Sequence, residues 1–401
     1  MSGKKRIALY QQLLAGRQVR GPHVFFPLFH SEYQKADNTE FELFYIVKTD
    51  DPEKLKRQYP THELEAHNVI FLPEHNSRFK KLIETKDLLM LLLKHRIKLL
   101  HIISFTLNDP IHQLLFLQKL KMIWPVKITM SITYNGFPRA FDSGYTGRFE
   151  KYLAYDKLFH AVKFDGIYSW FENVIDWVKN SGIFANGPIA TAVESRFCDI
   201  EKFHPEKKEK IIVWAGAIVS YKRPEMFINS LAAIKKANPQ LLNGWKVIFI
   251  GDGELTQDIH QSIIANGLKD LVEMRPTSNT YYELINRSMV HVSTQELDHF
   301  PNLVINEAMA AGCAIIATNV GRAHLFVVNG DNGYLTSTDD EHGLTVSLEK
   351  FLSQSPELWE RMMHNSRLLC ETVHTPANFI KGIDAFWHQV LFGKNKSGSD
   401  E

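Results

Sequence analysis

Residues 293–335, STQELDHFPNLVINEAMAAGCAIIATNVGRAHLFVVNGDNGYL, contain the pattern that decides the fold. The Pro-Asn pair at 301–302 stands where a helix would begin, and proline suits that position because the first helical amides have no partner to lose. The spacing predicts a helix over 303–311, which Gly312 would end in the left-handed conformation. The apolar run AIIAT (314–318) is then predicted to be a strand buried on both faces, as in a parallel sheet.

Two acidic side chains, Asp298 and Glu307, flank the start of this predicted helix. Backbone amides at a helix start lack an intrahelical partner, and the helix dipole attracts anions to them. A nucleotide diphosphate with sugar hydroxyls at either end suits this combination. The alternative is an ordinary Rossmann-like β-α unit that carries surface acids.

The same stretch resembles the donor-site signature of retaining GT-B glycosyltransferases of the large family four, the glycosyl transferases group 1. That signature is an acidic residue, an aromatic residue, proline or glycine, and then EAMA-x-G. The resemblance implies that Glu307 binds the ribose hydroxyls of a nucleotide sugar and that Asp298 faces the transferred sugar. The first acid usually lies eight positions before the second, where this chain has His299, so Asp298 is displaced by one residue. The resemblance also implies donor contacts around the helix start from Phe300, Pro301, Asn302 and Leu303.

Length and composition are those of an ordinary globular protein. A chain of 401 residues favours two or three domains, and 44% apolar with 23% charged residues is typical of such chains. The net charge of +1 gives no reason to expect nucleic acid as a partner. Three cysteines without a CxxC pair argue for a reducing compartment and against structural zinc.

The sequence predicts a cytoplasmic protein that does not cross a membrane. Glutamines interrupt the apolar part of RIALYQQLLAG (6–16), which reads as a first strand rather than a signal peptide. The longest apolar run, 88–93, is far shorter than the roughly twenty residues that span a bilayer. The basic amphipathic segment 79–98 fits either peripheral contact with an anionic membrane surface or a packed helix with a solvated lysine face.

In the N-terminal half, the resemblance implies two further contacts with the substrates. Gly16, in the loop after the first predicted strand, would reach the donor phosphate, although glycine and arginine in a loop are equally typical of a solvated turn. Asn135 and Gly136 would form the floor of the cleft, where related enzymes often carry a histidine. No imidazole is therefore available at that place for acid–base chemistry.

The domain boundaries follow from a change of composition. A D-x-x-x-F-x-P pattern at 199–205 resembles the family's linker, and the charged run EKKEK (206–210) reads as a solvated connector. We predict an N-terminal acceptor-side Rossmann-like domain over 1–196 and a nucleotide-sugar-binding domain over 205–375. Residues 376–401 are predicted to form a helix that crosses back to the first domain, followed by a polar tail.

The predicted phosphate clamp of the second domain is incomplete. The family loop reads G-R-x-x-x-x-K, and here Gly216 and Lys222 occupy the glycine and lysine positions while Ala217 replaces the arginine. The leaving diphosphate requires more positive charge than one lysine supplies. Arg322, in the loop after the strand AIIAT, is our first candidate for the second cation because such loops meet at the ligand crevice. Arg275 and Arg223 are the next candidates.

The alternation of strands and helices predicts an α/β chain with the GT-B fold, in which two doubly wound Rossmann-like domains face each other across a cleft. The resemblance implies metal-independent hexosyl transfer with retention, from a UDP- or GDP-linked sugar to a glycan, lipid-linked or other acceptor, in the synthesis of cell-surface polysaccharide or glycoconjugate. No cofactor is expected. Lys222, a substitute cation and helix amides would stabilise the leaving diphosphate. A catalytically weak GT-B scaffold subunit of a glycan assembly complex and a nucleotide-sugar epimerase remain as alternatives, although the retained Glu307 and Lys222 favour a transferase.

Overall fold

A computed structural model of the chain describes residues 4–13, 15, 22–59, 63–74, 78–103, 121, 124–132, 163–182, 187–193, 195–278, 280–296 and 302–393. The chain forms two compact units. The first combines Met1–Glu194 with Pro376–Glu401, and the second is Ser195–Thr375. Both are built from parallel strands and helices.

The first unit contains a seven-stranded parallel sheet. Its strands are β1 (Arg6–Gln12), β2 (Glu42–Thr49), β3 (Val69–Pro73), β4 (Leu99–Ile103), β5 (Lys127–Ile132), β6 (Gly166–Ser169) and β7 (Ile189–Ala192). They lie in the order β3-β2-β1-β4-β5-β6-β7, and every pair is parallel. The central strands β1, β4 and β5 are buried along nearly their whole length, as expected when a parallel sheet is covered on both faces.

Four helices of this unit precede the second unit in the described part of the chain. They are α1 (Pro22–Lys35), α2 (Pro52–Arg57), α3 (Arg78–Lys94) and α4 (Glu172–Asn180). Helix α3 buries Glu84, Leu88 and Leu92, which lie one turn apart. The Glu84 carboxylate forms an ion pair with Nζ of the buried Lys48 at 3.1 Å. The opposite side leaves Ile83 and Met90 42% and 54% exposed. The carboxylate that pairs with Lys48 and the buried leucines therefore lie on the same side of α3.

The second unit contains a six-stranded parallel sheet. Its strands are β8 (Glu209–Ala215), β9 (Lys246–Ile250), β10 (Val272–Arg275), β11 (Ser288–Ser293), β12 (Ala314–Thr318) and β13 (Gly333–Thr336), in the order β10-β9-β8-β11-β12-β13. Its described helices are α5 (Pro224–Ala237), α6 (Thr256–Ala265), α7 (Tyr281–Arg287), α8 (Leu303–Ala310), α9 (Glu341–Leu352) and α10 (Pro356–Thr372). Apolar side chains cover both faces of the sheet.

The predicted β-α-β pattern at the centre of this unit is confirmed. The predicted helix is α8 and the predicted buried strand AIIAT is β12, all five residues of which are buried. Gly312 ends the helix with a φ of 70°, in the left-handed conformation that was expected.

The interpretation of EKKEK as a solvated connector is wrong for Lys208. Its Nζ donates to the backbone carbonyls of Asn286, Ser288 and Ala311 at 3.0, 2.8 and 2.6 Å, and β8 begins at the next residue. Three carbonyl acceptors replace the water that the ammonium group loses, so this lysine joins three segments of the unit.

The last helix, α11 (Pro376–Phe392), belongs to the first unit. Trp387 is fully buried and its Nε1 donates to Nδ1 of His101 at 3.2 Å, while Asp384 accepts from the Tyr33 hydroxyl at 2.8 Å. A Cβ atom at Gly166 would lie 2.8 Å from the Phe386 ring, so a larger residue there would force this ring to move. In the described part of the chain, no helix is long and apolar enough to cross a membrane.

Candidate active site

The strand order of the second sheet reverses between β8 and β11. β9 and β10 extend the sheet on one side of β8, and β12 and β13 extend it on the other side of β11. In open α/β sheets, ligands bind beyond the carboxyl ends of the strands at such a reversal. The loops that follow β8 and β11 therefore form the candidate site.

Glycines bring the loop after β8 into direct backbone contact with the loop after β9. Gly216 has a φ of 155° and Gly251 a φ of 151°. A Cβ atom on Gly251 would lie 1.8 Å from the Gly216 carbonyl oxygen, and one on Gly253 would lie 2.1 Å from that of Ile218. The Gly-Asp-Gly turn at 251–253 resembles a dinucleotide fingerprint, but close packing of these loops already requires its glycines.

Lys222 belongs to the loop after β8 and contacts the loop after β11. Its Nζ donates to Oε1 of Gln295 at 3.1 Å, and its carbonyl accepts from the Thr294 hydroxyl at 2.8 Å. Gln295 is buried, and its Oε1 also accepts from Nδ2 of Asn302 at 3.2 Å. One amide oxygen thus joins the predicted lysine to the start of α8. Sequence reasoning missed Gln295, although its position directly after a strand at the sheet reversal could have indicated it.

Partial burial makes Lys222 an unusually acidic lysine. Desolvation lowers its pKa to about 8. The neighbouring His291 is buried in β11, and desolvation, followed by the charge on Lys222, lowers the pKa of His291 to about 3. The histidine is therefore neutral near pH 7, and Lys222 can change its charge within an accessible pH range.

Asn302 begins α8 as predicted. Its Oδ1 accepts from the backbone amide of Val304 at 3.1 Å, which caps the first turn, and Leu303 is the first residue of the helix. Six other predicted site residues lie outside the described part of the chain: Gly16, Asn135, Gly136, Asp298, Phe300 and Pro301.

Glu307 lies on α8 and is only 4% exposed. Its Oε2 accepts from the Tyr281 hydroxyl at 2.6 Å. Burial raises the pKa of Glu307 to about 7, while the Tyr281 hydrogen bond and then the charges of Lys202 and Arg196 act in the opposite direction. Sequence reasoning did not identify Tyr281, because nothing in the local pattern of α7 indicates that its first residue meets α8.

The three arginines considered as a second cation lie in different surroundings. Arg223 donates to Asp339 at 3.1 Å, and Arg275 pairs through two nitrogens with Glu273 on the outer strand β10. Arg322 is nine-tenths buried in the loop after β12, the strand next to β11. The structure does not bring Arg275 to the sheet reversal, because β10 is the edge strand and β9 separates it from β8.

Two solved structures have a fold similar to that of this chain. HepE from Anabaena, solved in complex with UDP-glucose, has a TM-score of 0.67 at 14% identity, with 96% of this chain and 99% of HepE covered. Sucrose-phosphate synthase from Thermosynechococcus elongatus has a TM-score of 0.68 at 14% identity, with 98% and 100% covered. The chain has the GT-B fold shared by these glycosyltransferases.

The sequence comparison finds similarity to one family over the second unit. Residues 196–368 match the family model described as glycosyl transferases group 1. Among curated relatives, 165 residues are 22% identical to the GalNAc-alpha-(1->4)-GalNAc-alpha-(1->3)-diNAcBac-PP-undecaprenol alpha-1,4-N-acetyl-D-galactosaminyltransferase of Campylobacter jejuni. That match covers 41% of this chain and 44% of the relative, so the chain spans less than half the length of this relative.

Proposed function

We propose that the protein is a retaining glycosyltransferase that transfers a hexosyl group from a nucleotide-diphosphate sugar to a glycan or lipid-linked acceptor. The observation that carries the proposal is the joining of Lys222, Gln295 and the start of α8 at the sheet reversal, with Glu307 on the same helix. A cation and a helix start suit a diphosphate, and a buried carboxylate suits sugar hydroxyls.

In the proposed reaction, the bond between the anomeric carbon and the diphosphate oxygen breaks, the acceptor oxygen forms the new glycosidic bond, and the proton of the acceptor hydroxyl passes to the leaving diphosphate. The leaving diphosphate gains negative charge as this bond breaks. The ammonium group of Lys222 would leave Gln295 and pair with this charge, while amides at the start of α8 donate to the same phosphates. Arg322 is our candidate for the second cation, since its loop follows the strand beside β11.

Glu307 would bind the donor ribose, and Asp298 would face the transferred sugar. The donor is proposed to be UDP- or GDP-linked, and the UDP-glucose complex of HepE favours UDP. Protein groups carry the whole stabilisation of the leaving diphosphate in this scheme, so EDTA should leave the activity unchanged. The Campylobacter jejuni relative is named for an undecaprenol-linked acceptor, and a lipid-linked acceptor is our proposal for this chain as well.

Peripheral contact with an anionic membrane surface on the cytoplasmic side is a separate proposal. Helix α3 exposes Ile83 and Met90 together with Lys86 and Lys94. Apolar side chains among lysines suit the boundary between lipid headgroups and acyl chains. A role in cell-surface polysaccharide or glycoconjugate synthesis would follow from such contact and a lipid-linked acceptor.

The proposed function is tested by donor binding and turnover. UDP-glucose, GDP-mannose and ADP-glucose are screened for a rise in unfolding temperature, and release of nucleoside diphosphate is then measured with the best donor. Turnover supports the transferase and contradicts the scaffold alternative, whereas an epimerised nucleotide sugar as the product would support the epimerase. Binding of none of the three donors by the folded protein would contradict the proposal.

Glu307→Ala tests the site itself. The loss of two hydrogen bonds to ribose should weaken donor use by about 2 to 4 kcal/mol, which is roughly thirtyfold to several hundredfold, while the fold remains intact. Glu283→Ala is the matched control, because Glu283 is an exposed carboxylate on α7. Normal donor kinetics in folded Glu307→Ala would show that the carboxylate has another role.

A further inference from the structure

We infer that Tyr281 is a positioning residue for Glu307, and that its hydroxyl keeps the carboxylate oriented and ionised for the donor ribose. The inference rests on the proposed function, because it concerns the same donor site. It assigns a role to a residue that was not among the predicted site residues.

The geometry places Tyr281 and Glu307 on different helices with their polar atoms in contact. Tyr281 is the first residue of α7, and its ring packs against Phe203 with the centroids 5.7 Å apart. Its hydroxyl lies 2.6 Å from Oε2 of Glu307. This distance is typical of a hydroxyl that donates to a charged carboxylate, which is among the stronger hydrogen bonds in proteins.

The hydrogen bond from Tyr281 leaves the Glu307 carboxylate able to accept hydrogen bonds from further hydroxyl groups. An ionised carboxylate has two oxygens with about four acceptor positions. Tyr281 occupies one position on Oε2 and limits rotation of the group, so the remaining positions keep a fixed direction. A preoriented acceptor loses less conformational freedom when the ribose hydroxyls arrive.

The same contact acts on the charge of Glu307. Burial favours the neutral acid and raises its pKa to about 7, while the Tyr281 hydrogen bond is the largest influence in the opposite direction. The charges of Lys202 and the buried Arg196 also lower the pKa of Glu307. The Cys198 thiol lies close enough for the charge of Glu307 to act on it. Burial and the charge of Glu307 raise the pKa of Tyr281, so the phenol stays protonated and remains a donor.

The next residue offers a matched control. Tyr282 also packs against Phe203, with the centroids 6.4 Å apart, and the Lys202 ammonium lies 5.1 Å from its ring. Tyr282→Phe therefore removes a phenol hydroxyl from the same helix turn without removing the bond to Glu307. Tyr281→Phe keeps the ring that packs on Phe203 and removes that bond.

The experiment measures the Kd of the donor by calorimetry at pH 6.0, 7.0 and 8.5. The probe is whichever of UDP-glucose, GDP-mannose and ADP-glucose stabilises the wild type most. All variants bind the same probe, so protonation of the probe affects them equally. We expect Tyr281→Phe to bind about tenfold more weakly than the wild type at pH 7.0. The difference in affinity between Tyr281→Phe and the wild type should be smaller at pH 8.5. Without the hydroxyl, the loss of affinity that accompanies protonation of Glu307, the acidic limb of the binding profile, begins at a higher pH. Tyr282→Phe should follow the wild type, and Glu307→Gln should bind weakly without the acidic limb.

Two results would overturn the positioning role. One is a Tyr281→Phe deficit that is the same factor at all three pH values, as a structural effect would produce. The other is a Tyr281→Phe profile that coincides with that of Tyr282→Phe. Both leave the proposed function standing, because the wild type still binds the donor. Failure of the wild type to bind any of the three nucleotide sugars would instead contradict the proposed function, and with it this inference.

Discussion

The pKa of Lys222 leads to a prediction for donor binding in alkaline solution. If Lys222 binds the donor diphosphate, only its protonated form provides the charge, and burial lowers its pKa to about 8. The apparent Kd should therefore rise by a factor of 1 + 10^(pH − pKa). From well below the pKa to pH 9 this is about elevenfold, or about 1.4 kcal/mol of binding free energy. The affinity for the donor is full below the pKa of Lys222 and is lost as the pH rises through that pKa.

Two substitutions separate this titration from other alkaline effects. Arginine stays charged throughout the range, so the affinity of Lys222→Arg should not fall at alkaline pH, even where its different geometry weakens binding. The fall of affinity at alkaline pH is called the alkaline limb below. Lys222→Met should bind weakly at every pH and also lack the limb. The Kd of the best-binding nucleotide sugar is measured by calorimetry from pH 7.0 to 9.5, and circular dichroism confirms that each protein is folded.

Wild-type affinity that stays constant from pH 7.0 to 9.5 would show that the Lys222 charge does not contribute to donor binding. An alkaline limb of equal size in Lys222→Met would assign the titration to another group. Together with the acidic limb expected from Glu307, the intact site should bind the donor best between about pH 7 and 8.

Three further predictions concern the missing cation, the first unit and the membrane. Arg322→Ala should strongly reduce donor turnover in the native chain and much less in an Ala217→Arg background, and unchanged turnover in the single variant would exclude Arg322 as the second cation. Burial lowers the pKa of His101 to about 3, so as the pH falls the unfolded state takes up the proton before the folded state does. Between pH 7 and pH 5, the free energy of unfolding of the wild type should therefore fall by about 2 kcal/mol more than that of His101→Gln, as measured by urea titration of the first unit. Equal losses would assign the acid sensitivity to other groups. Replacing Lys86 and Lys94 by glutamate should reduce co-sedimentation with anionic liposomes, as should added salt, and a wild type that never sediments would refute the membrane proposal.

Local pattern in the amino-acid sequence was sufficient for the central β-α-β unit. Proline and asparagine at its start, small apolar residues within it and glycine at its end each act on the backbone within a few residues. For that reason α8, β12 and the left-handed Gly312 could be predicted in place. The α/β class followed in the same way, because alternating periodic segments leave few other arrangements.

Side-chain contacts between distant segments were decided only by the tertiary structure. The order of the strands places Gln295 against Lys222, 73 residues away, and brings Tyr281 of α7 to Glu307 of α8. It also directs Lys208 to three carbonyls instead of water and turns Glu84 of α3 inward to Lys48. Sequence periodicity describes which side of a helix or strand is apolar, but it carries no information about the partner that side meets. A charged residue is solvated or buried according to that partner, since burial is favourable only where an opposite charge or several acceptors replace the lost water.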